Sequence, residues 1–397
     1  MKKKHDCAED AGRRRLRILH ITGQAHGGSG VHILSLVRGC NPSRFEHSVA
    51  MSPDSPMQPD FESTGARIIL LPIDARGSLY RNVLALAELI SILRREQFDI
   101  IHTHTSVAAA LGRVAARFTG NGITIHMMHN FASHKHVPWL KRTIYSAVER
   151  FLCYLTDYSI AGSRAVMEEG LRRKFFRPGR VSLIYNGVNE VRLASEASEG
   201  LLNVRKSLGI GADALLIEFL GRLERQKGAE VLIRAASKVC SKHQRAHFVI
   251  AGDGSERAKL ESIARASGLT DRVHFLGWIA GVGSFLKQLD IFAMPSLWEP
   301  FGLAAAEASF FGVPIVASSV DGLCELVEDR STGLLVPPED ADALADALIE
   351  LALSPERRLA LGAHARHRAH TQFSEAGMIA AHEKLYEEVF RKWHDLA

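Results

Sequence analysis

Strand and helix alternate along this chain, and the alternation starts afresh near its middle. Apolar runs read as strands over Arg17–Thr22, Arg67–Leu71, Ile100–Thr103, Ile123–Met128, Tyr158–Ala161 and Val181–Ile184. Between them, 3.6-residue periodicities predict a helix opening at Val31 and further helices over Val83–Arg95, Val107–Phe118, Trp139–Leu155 and Arg164–Lys174. That alternation argues for a parallel sheet covered on both faces by helices. After a weakly patterned stretch around Glu190–Leu208 the rhythm resumes. Strands are expected at Leu215–Leu220 (apolar but for Glu218), Phe248–Ala251, His274–Leu276, Ile291–Met294, Ile315–Ala317 and Gly333–Val336, with a helix running on to about Val239. No sequence repeat accompanies the repeated architecture. The tail, Ser374–Trp393, reads as an amphipathic helix with Ile379, Leu385, Tyr386 and Phe390 on one face. The expectation is two doubly wound α/β domains, for which 397 residues are long enough. Their strand C-termini would face each other across a cleft, where open α/β sheets bind ligands.

Bulk properties narrow the class. With 46% hydrophobic and 23% charged residues, the composition is that of an ordinary globular protein. No apolar run reaches the roughly 18 residues that a membrane-spanning helix needs, and Met1–Asp6 lacks the apolar core of a signal peptide. Cys7, Cys40, Cys153, Cys240 and Cys324 are odd in number and scattered, so reduced thiols and a cytoplasmic protein are expected. Charge is unevenly divided. Residues 1–190 carry 26 Lys/Arg against 16 Asp/Glu, whereas the remainder carries 23 against 28. A basic first half points to an anionic partner. Nucleic acid finds no binding motif among these residues. A phospholipid surface, or an acceptor carried on a lipid diphosphate, fits better. The segment His134-Lys135-His136-Val137-Pro138-Trp139-Leu140-Lys141-Arg142 is basic with an apolar ridge, as an interfacial helix would be.

The densest chemical signal is Trp298-Glu299-Pro300-Phe301-Gly302-Leu303-Ala304-Ala305-Ala306-Glu307. A Pro-Phe-Gly turn feeding a Leu-Ala-Ala-Ala run predicts a loop that opens into a helix, with Glu299 on the loop and Glu307 about one turn inside. Between the carboxylates lies a helix N-terminus, whose free N–H groups and positive dipole end suit a phosphate. One segment can thus hold two hydroxyl-rich groups on either side of an anion, which describes a nucleotide sugar.

This stretch resembles the Glu-x7-Glu signature of retaining glycosyltransferases, specifically glycosyltransferase family 4. Its frame matches too, with Asp290–Ser296 before it and Gly312–Ala317 after it. The resemblance covers nearly the whole chain and is densest from Gly221 to Pro338. It implies the GT-B fold, two Rossmann-like domains around a central cleft. Residues 1–190 would form an acceptor-side domain that the C-terminal helix, 375–397, rejoins, and residues 191–374 would bind the nucleotide sugar. The implied reaction moves a hexosyl unit from a nucleoside-diphosphate sugar to a saccharide or polyprenyl-diphosphate-linked acceptor, with retention and without cofactor or metal. No Asp-x-Asp metal site is expected, so cations must meet the leaving diphosphate. Gly221-Arg222-Leu223…Lys227-Gly228 resembles the family's diphosphate grip, which assigns that work to Arg222 and Lys227. Glu299 would bind sugar hydroxyls and Glu307 the ribose, with Phe301, Gly302 and Leu303 against sugar and phosphates. Gly252, Gly254 and Ile279 would border the nucleotide. His129 matches the strand-end histidine that faces the reacting sugar, where an imidazole can donate to sugar or phosphate and can be charged near neutral pH. Gly27 and Gly28 resemble the glycine-rich loop of the first domain, although Gly30 stands where relatives often carry Glu.

Two other readings compete. A nicotinamide-dependent oxidoreductase would use a Gly-x-Gly-x-x-Gly loop, but Ile33 stands where the third glycine belongs. A nucleotide-sugar-binding relative without catalysis would need fewer of these groups. A metal site at His129, His134 and His136 is also conceivable from sequence.

Overall fold

The computed structural model describes residues 14–25, 27–75, 78–131, 133–134, 137–200 and 202–396. It divides into two compact units. The first comprises the residues up to Ile184 and those from Ala376 onward, and the second is Tyr185–Glu375.

In the first unit, β1 (Leu16–Ile21), β2 (Phe45–Met51), β3 (Arg67–Leu70), β4 (Ile100–Thr103), β5 (Ile123–Met128), β6 (Tyr158–Ala161) and β7 (Val181–Leu183) form one parallel sheet. Its order is β3-β2-β1-β4-β5-β6-β7. Both faces are covered, so β1, β4 and β5 are buried at nearly every position. On one face Leu19, Ile21 and Ile101 pack with Leu89 and Leu93 of the Leu79–Arg95 helix. On the other, Ile18, Ile100 and Ile125 pack with Leu36 and with Met378, Leu385 and Tyr386 of the Glu375–Leu396 helix. Burying each such side chain stabilises by about 1.5–3 kcal/mol, which holds that last helix in the first unit's core.

The second unit repeats the plan. β8 (Leu215–Leu220), β9 (Ala246–Ala251), β10 (Val273–Gly277), β11 (Ile291–Met294), β12 (Ile315–Ser318) and β13 (Gly333–Val336) run parallel in the order β10-β9-β8-β11-β12-β13. Each sheet therefore has one place where the strand order reverses, between β1 and β4 and between β8 and β11. Ligands of doubly wound sheets bind beyond the strand ends at such points.

The expected fold class is the one found, with local corrections. β2 escapes a pattern reading because Glu46, His47 and Ser48 interrupt its apolar run; its place between β1 and β3 makes it a strand. The stretch Glu190–Leu208 is not formless. It holds two short helices, Glu190–Glu199 and Val204–Leu208, whose first turns are capped by the side chains of Asn189 and Asn203 and which end at Gly200 and Gly209. The first helix opens at Gly27 and not at Val31, so Gly27 and Gly28 form its first turn. Among the described residues, no helix is long and apolar enough to cross a membrane.

Candidate functional site

In the second unit the residues expected to handle the donor follow the two strands at the reversal point. Arg222 and Lys227 come after β8, and Glu299 after β11. The loops are tied together by main chain. Leu297 N–H donates to Gln226 O at 2.8 Å, and Gln226 Nε2 donates to Trp298 O at 3.1 Å. Gly228 makes the tie possible. Its φ is +66°, and an added Cβ would lie 1.9 Å from Pro295 O.

The consequence is a largely buried ion pair. Lys227 Nζ donates to Glu299 Oε2 at 2.5 Å, and the Ser296 hydroxyl reaches the same oxygen at 3.2 Å. Glu299 N–H donates to Asp321 Oδ2 at 3.0 Å, which fixes the loop from its far side. Gly302, with φ +99°, caps the Leu303–Phe310 helix, and a Cβ there would meet Leu323 Cδ2 at 2.6 Å. Phe301 is buried beneath the turn, and Leu303 begins the helix half-exposed.

Glu307 sits in that helix, as the spacing predicts, and is buried. Burial pushes its carboxyl up to about 7, Arg192 pulls it down, and Glu196 pushes it up again. Arg192 Nη2 donates to Glu307 Oε1 at 2.7 Å and its Nη1 to Glu196 Oε1 at 2.9 Å. Sequence reading missed Arg192 because it lies 115 residues before its partner, in a helix with little apolar pattern.

Other expected donor residues form a rim. Gly252 N–H donates to Gly277 O at 2.7 Å, and Leu223 N–H to Asp253 O at 2.8 Å. The loops carrying Arg222, Gly252–Gly254 and Gly277–Ile279 are thereby joined. Ile279 is half-buried. Arg222 is exposed, and among the described residues its side chain makes no hydrogen bond or ion pair. One Asp-x-Asp does occur, against expectation, at Asp340-Ala341-Asp342. Asp340 caps a helix by accepting from Ala343 N–H at 2.9 Å, and Asp342 is exposed, 3.5 Å from Lys238 Nζ.

The first unit places His129 after β5 in a setting that sequence reading did not foresee. His47, His20, His104 and His129 form an unbroken row. His47 Nδ1 lies 2.9 Å from His20 Nε2, His20 Nδ1 lies 3.2 Å from His104 Nε2, and His104 Nδ1 lies 3.2 Å from His129 Nε2. His32, His102 and His382 pack around the row. Burial lowers the pKa of His47, His129 and His382 to about 4, and those of His20, His102 and His104 well below the usual value. His129 is therefore neutral near pH 7, although the sequence allowed it a charge there. The legible signal was His102-Thr103-His104, since residues two apart on a strand share a face.

Among the described residues, His20, His102 and His104 are the group whose ligand atoms come within 4.8 Å of one another, as metal ligands must. Of the triad conceivable from sequence, His129 lies against His104, and His136 lies outside the described residues, as does Lys135 of the basic segment. A cavity of about 260 Å³ beside the row is lined by Ser29, Thr105, Met128, His129, Asn130 and Tyr145 among others. Ser29 adjoins Gly28, so the glycine-rich turn and His129 border one space.

Residues 26–192 match the family model described as Glycosyltransferase Family 4, and residues 202–368 that of glycosyl transferases group 1. Over 296 residues the chain is 30% identical to the Escherichia coli UDP-Gal:alpha-D-GlcNAc-diphosphoundecaprenol alpha-1,3-galactosyltransferase, covering 74% of this chain and 76% of that one. It is 29% identical over 345 residues to the D-inositol 3-phosphate glycosyltransferase of Saccharomonospora viridis, covering 81% and 78%. Its fold resembles that of Anabaena HepE in complex with UDP and glucose, with a TM-score of 0.81, 22% identity, and coverage of 94% of this chain and 100% of that one.

Proposed function

The chain belongs to glycosyltransferase family 4, and from that premise we propose that it moves a hexosyl unit, with retention and without a metal, from a nucleoside-diphosphate sugar to a saccharide or polyprenyl-diphosphate-linked acceptor. Such a transfer belongs to the synthesis of cell-surface polysaccharide or glycolipid. The observation that carries the reading is the meeting of Lys227, Glu299 and the start of the Leu303–Phe310 helix at the β8/β11 reversal.

Breaking the anomeric bond leaves charge on the departing diphosphate. Lys227, Arg222 and the helix N-terminus are preset to meet that charge, which is the costliest part of such a transition state. Glu299 accepts from hydroxyls of the sugar while keeping Lys227 oriented, and Glu307 accepts from the ribose. His129 contributes a neutral imidazole to the sugar. With the leaving phosphate itself taking the acceptor's proton on the same face, the sugar keeps its configuration. Arg222, Lys227, Glu299 and His129 would be the catalytic residues. Gly27, Gly28, Gly252, Gly254, Ile279, Phe301, Gly302, Leu303 and Glu307 would shape the donor site.

A lipid-borne acceptor calls for a membrane-facing surface, and the Trp139–Tyr154 helix offers one. Leu140, Ile144, Val148 and Phe151 fall on one face and are exposed, while Leu152 and Cys153 are buried on another. Lys141 and Arg150 flank the apolar stripe. The protein would work at the inner face of the cell membrane, seated by this helix on anionic lipid.

UDP is the first nucleotide to test, since the E. coli relative uses UDP-Gal and the HepE structure holds UDP. A nucleotide at 100 times its dissociation constant would stabilise the fold by about 2.7 kcal/mol, so a thermal-shift panel finds the base. Incubation with the matching nucleotide sugars and a lipid-diphosphate acceptor should then give product of unchanged anomeric configuration by NMR, in chelator as in buffer. Inverted product, or activity abolished by chelator, rules the proposal out.

A further inference from the structure

Four neutral imidazoles in a row cannot choose their protons independently. Each carries one N–H, so in every link one ring donates and the next accepts. The distances 2.9, 3.2 and 3.2 Å make three consecutive links from His47 to His129. Only two proton arrangements satisfy all three. Either every ring is protonated at Nδ1 and the row donates toward His129, or every ring is protonated at Nε2 and it donates toward His47.

The far end decides between them. His47 Nε2 is buried without a hydrogen-bond partner. A buried orphan N–H is among the rarest features of folded proteins, whereas an unused acceptor is better tolerated. The surrounding rings follow the same rule. His382 donates Nδ1–H to Met378 O at 2.9 Å, because a carbonyl can only accept, and its own orphan nitrogen, Nε2, is thereby a bare lone pair. His102 has Nδ1 against the Tyr386 hydroxyl at 2.8 Å, which can accept or donate, and Nε2 without a partner, so the same preference for a bare Nε2 puts its proton on Nδ1.

We infer that the row His47–His20–His104 fixes His129 as the Nδ1–H tautomer, so that His129 meets substrate as an uncharged hydrogen-bond donor and not as a base. His129 Nε2 is taken up by accepting from His104 Nδ1–H, and Nδ1–H is left for the cavity that His129 lines. His104, His20 and His47 are positioning residues that act through His129. In the proposed reaction that donor suits an oxygen of the sugar or of its phosphate. The inference deepens the proposed role of His129 and rests on it only for that last step.

The test is a long-range proton–nitrogen correlation spectrum of the full chain labelled with 15N-histidine, near neutral pH, with His129 assigned by loss of its signals in His129→Gln. The expected result is a protonated Nδ1 and a bare Nε2 for His129. A protonated Nε2 would overturn the inference, as would a zinc ion retained in stoichiometric amount with His20 Nδ1 and His104 Nε2 as its ligands. A second measurement reaches across the row. In His47→Glu the new carboxylate accepts from His20 Nε2, which reverses every link and leaves His129 Nδ1 bare, three hydrogen bonds away. The kcat for transfer should fall about tenfold, the worth of one hydrogen bond, with the donor KM little changed. His47→Gln, whose amide can still donate, should keep the wild-type tautomer and rate. A tautomer at His129 that ignores the residue at 47 would reduce the row to packing. These spectra read the free protein, so they stand even if no transfer is found, and failed transfer sinks the proposed reaction alone.

Discussion

Lys227 Nζ and Glu299 Oε2, 72 residues apart in sequence, lie 2.5 Å apart between the loops that follow β8 and β11. Both side chains are largely buried, at 17% and 8% exposure, so neither charge is well hydrated without the other. Breaking a buried pair from one side costs about 3–5 kcal/mol, and residual exposure places this one at the lower end. Lys227→Met should therefore destabilise the protein strongly, Glu299→Gln less, and the double variant should recover most of the loss. Binding should separate the roles. Lys227→Met weakens nucleoside diphosphate itself, whereas Glu299→Gln spares it and slows transfer by about 100-fold. Urea unfolding and calorimetric titration read the two effects. Equal loss of free nucleotide in both variants would contradict the division.

Glu307 predicts a pH dependence that Arg192 controls. Burial raises the carboxyl to about 7, and Arg192 is the group that keeps it from rising further. A ribose-binding carboxylate works best ionised, so nucleotide affinity should increase through neutral pH. Arg192→Met should move that increase to higher pH, lowering affinity about tenfold near neutrality and losing less in alkali. Titrations across pH that stay parallel in both proteins would show Glu307 does not set the binding.

The exposed face of the Trp139–Tyr154 helix gives a prediction about location. Ile144→Glu and Phe151→Glu replace exposed side chains, so stability should change by no more than about 0.5 kcal/mol. Sedimentation with anionic phospholipid vesicles should nonetheless fall sharply. Replacing Lys135, Lys141 and Arg142 by Gln should weaken it in anionic vesicles and leave neutral vesicles unaffected. Unchanged vesicle binding and unchanged transfer to a lipid-linked acceptor in all of these variants would leave the stripe without a membrane role.

The parts that were legible in sequence are those in which neighbours along the chain carry the signal. Glu299, Gly302 and Glu307 share one loop and helix, so spacing alone places them, and the apolar runs of β8 and β11 announce the strands that deliver them. What escaped depends on distant partners. His47 is in a strand because β1 and β3 flank it, and Arg192 matters because Glu307 folds onto it. The histidine row is assembled from four separate elements, and no window of sequence contains it. Helices as short as Glu190–Glu199 and Val204–Leu208 have too few turns for periodicity, although their Asn caps and terminal Gly residues were there to be read.

The same histidines predict acid sensitivity. His47, His129 and His382 have folded pKa values of about 4, and burial also holds His20, His102 and His104 well below the 6.5 of a free imidazole. Unfolding lets each of them take up a proton. Stability is complete above pH 6.5 and is lost as pH falls toward 4, by about 1.4 kcal/mol per unit for each group that titrates. Urea midpoints between these limits should reveal an uptake of more than two protons per molecule. An uptake below one would mean that the cluster is not neutral and buried in solution.

Glu218 predicts the opposite sign in the second unit. It sits in β8 beside Val249 and Phe292 of the flanking strands, fully buried, and neither carboxyl oxygen has a hydrogen-bond partner. Burial raises its pKa well above the usual value; Asp290 adds to the rise and Arg205 opposes it. The folded protein keeps a proton that the unfolded chain releases. This group's contribution is therefore full below pH 4.5 and is lost as pH rises through the folded pKa. Glu218→Gln keeps the shape and cannot ionise. It should match the wild type in mild acid and become the more stable of the two in alkali, by about 1–3 kcal/mol. Melting curves of both proteins from acid to alkaline pH provide the measurement. Curves that run parallel would mean that the carboxyl stays protonated, or finds a partner, throughout the range.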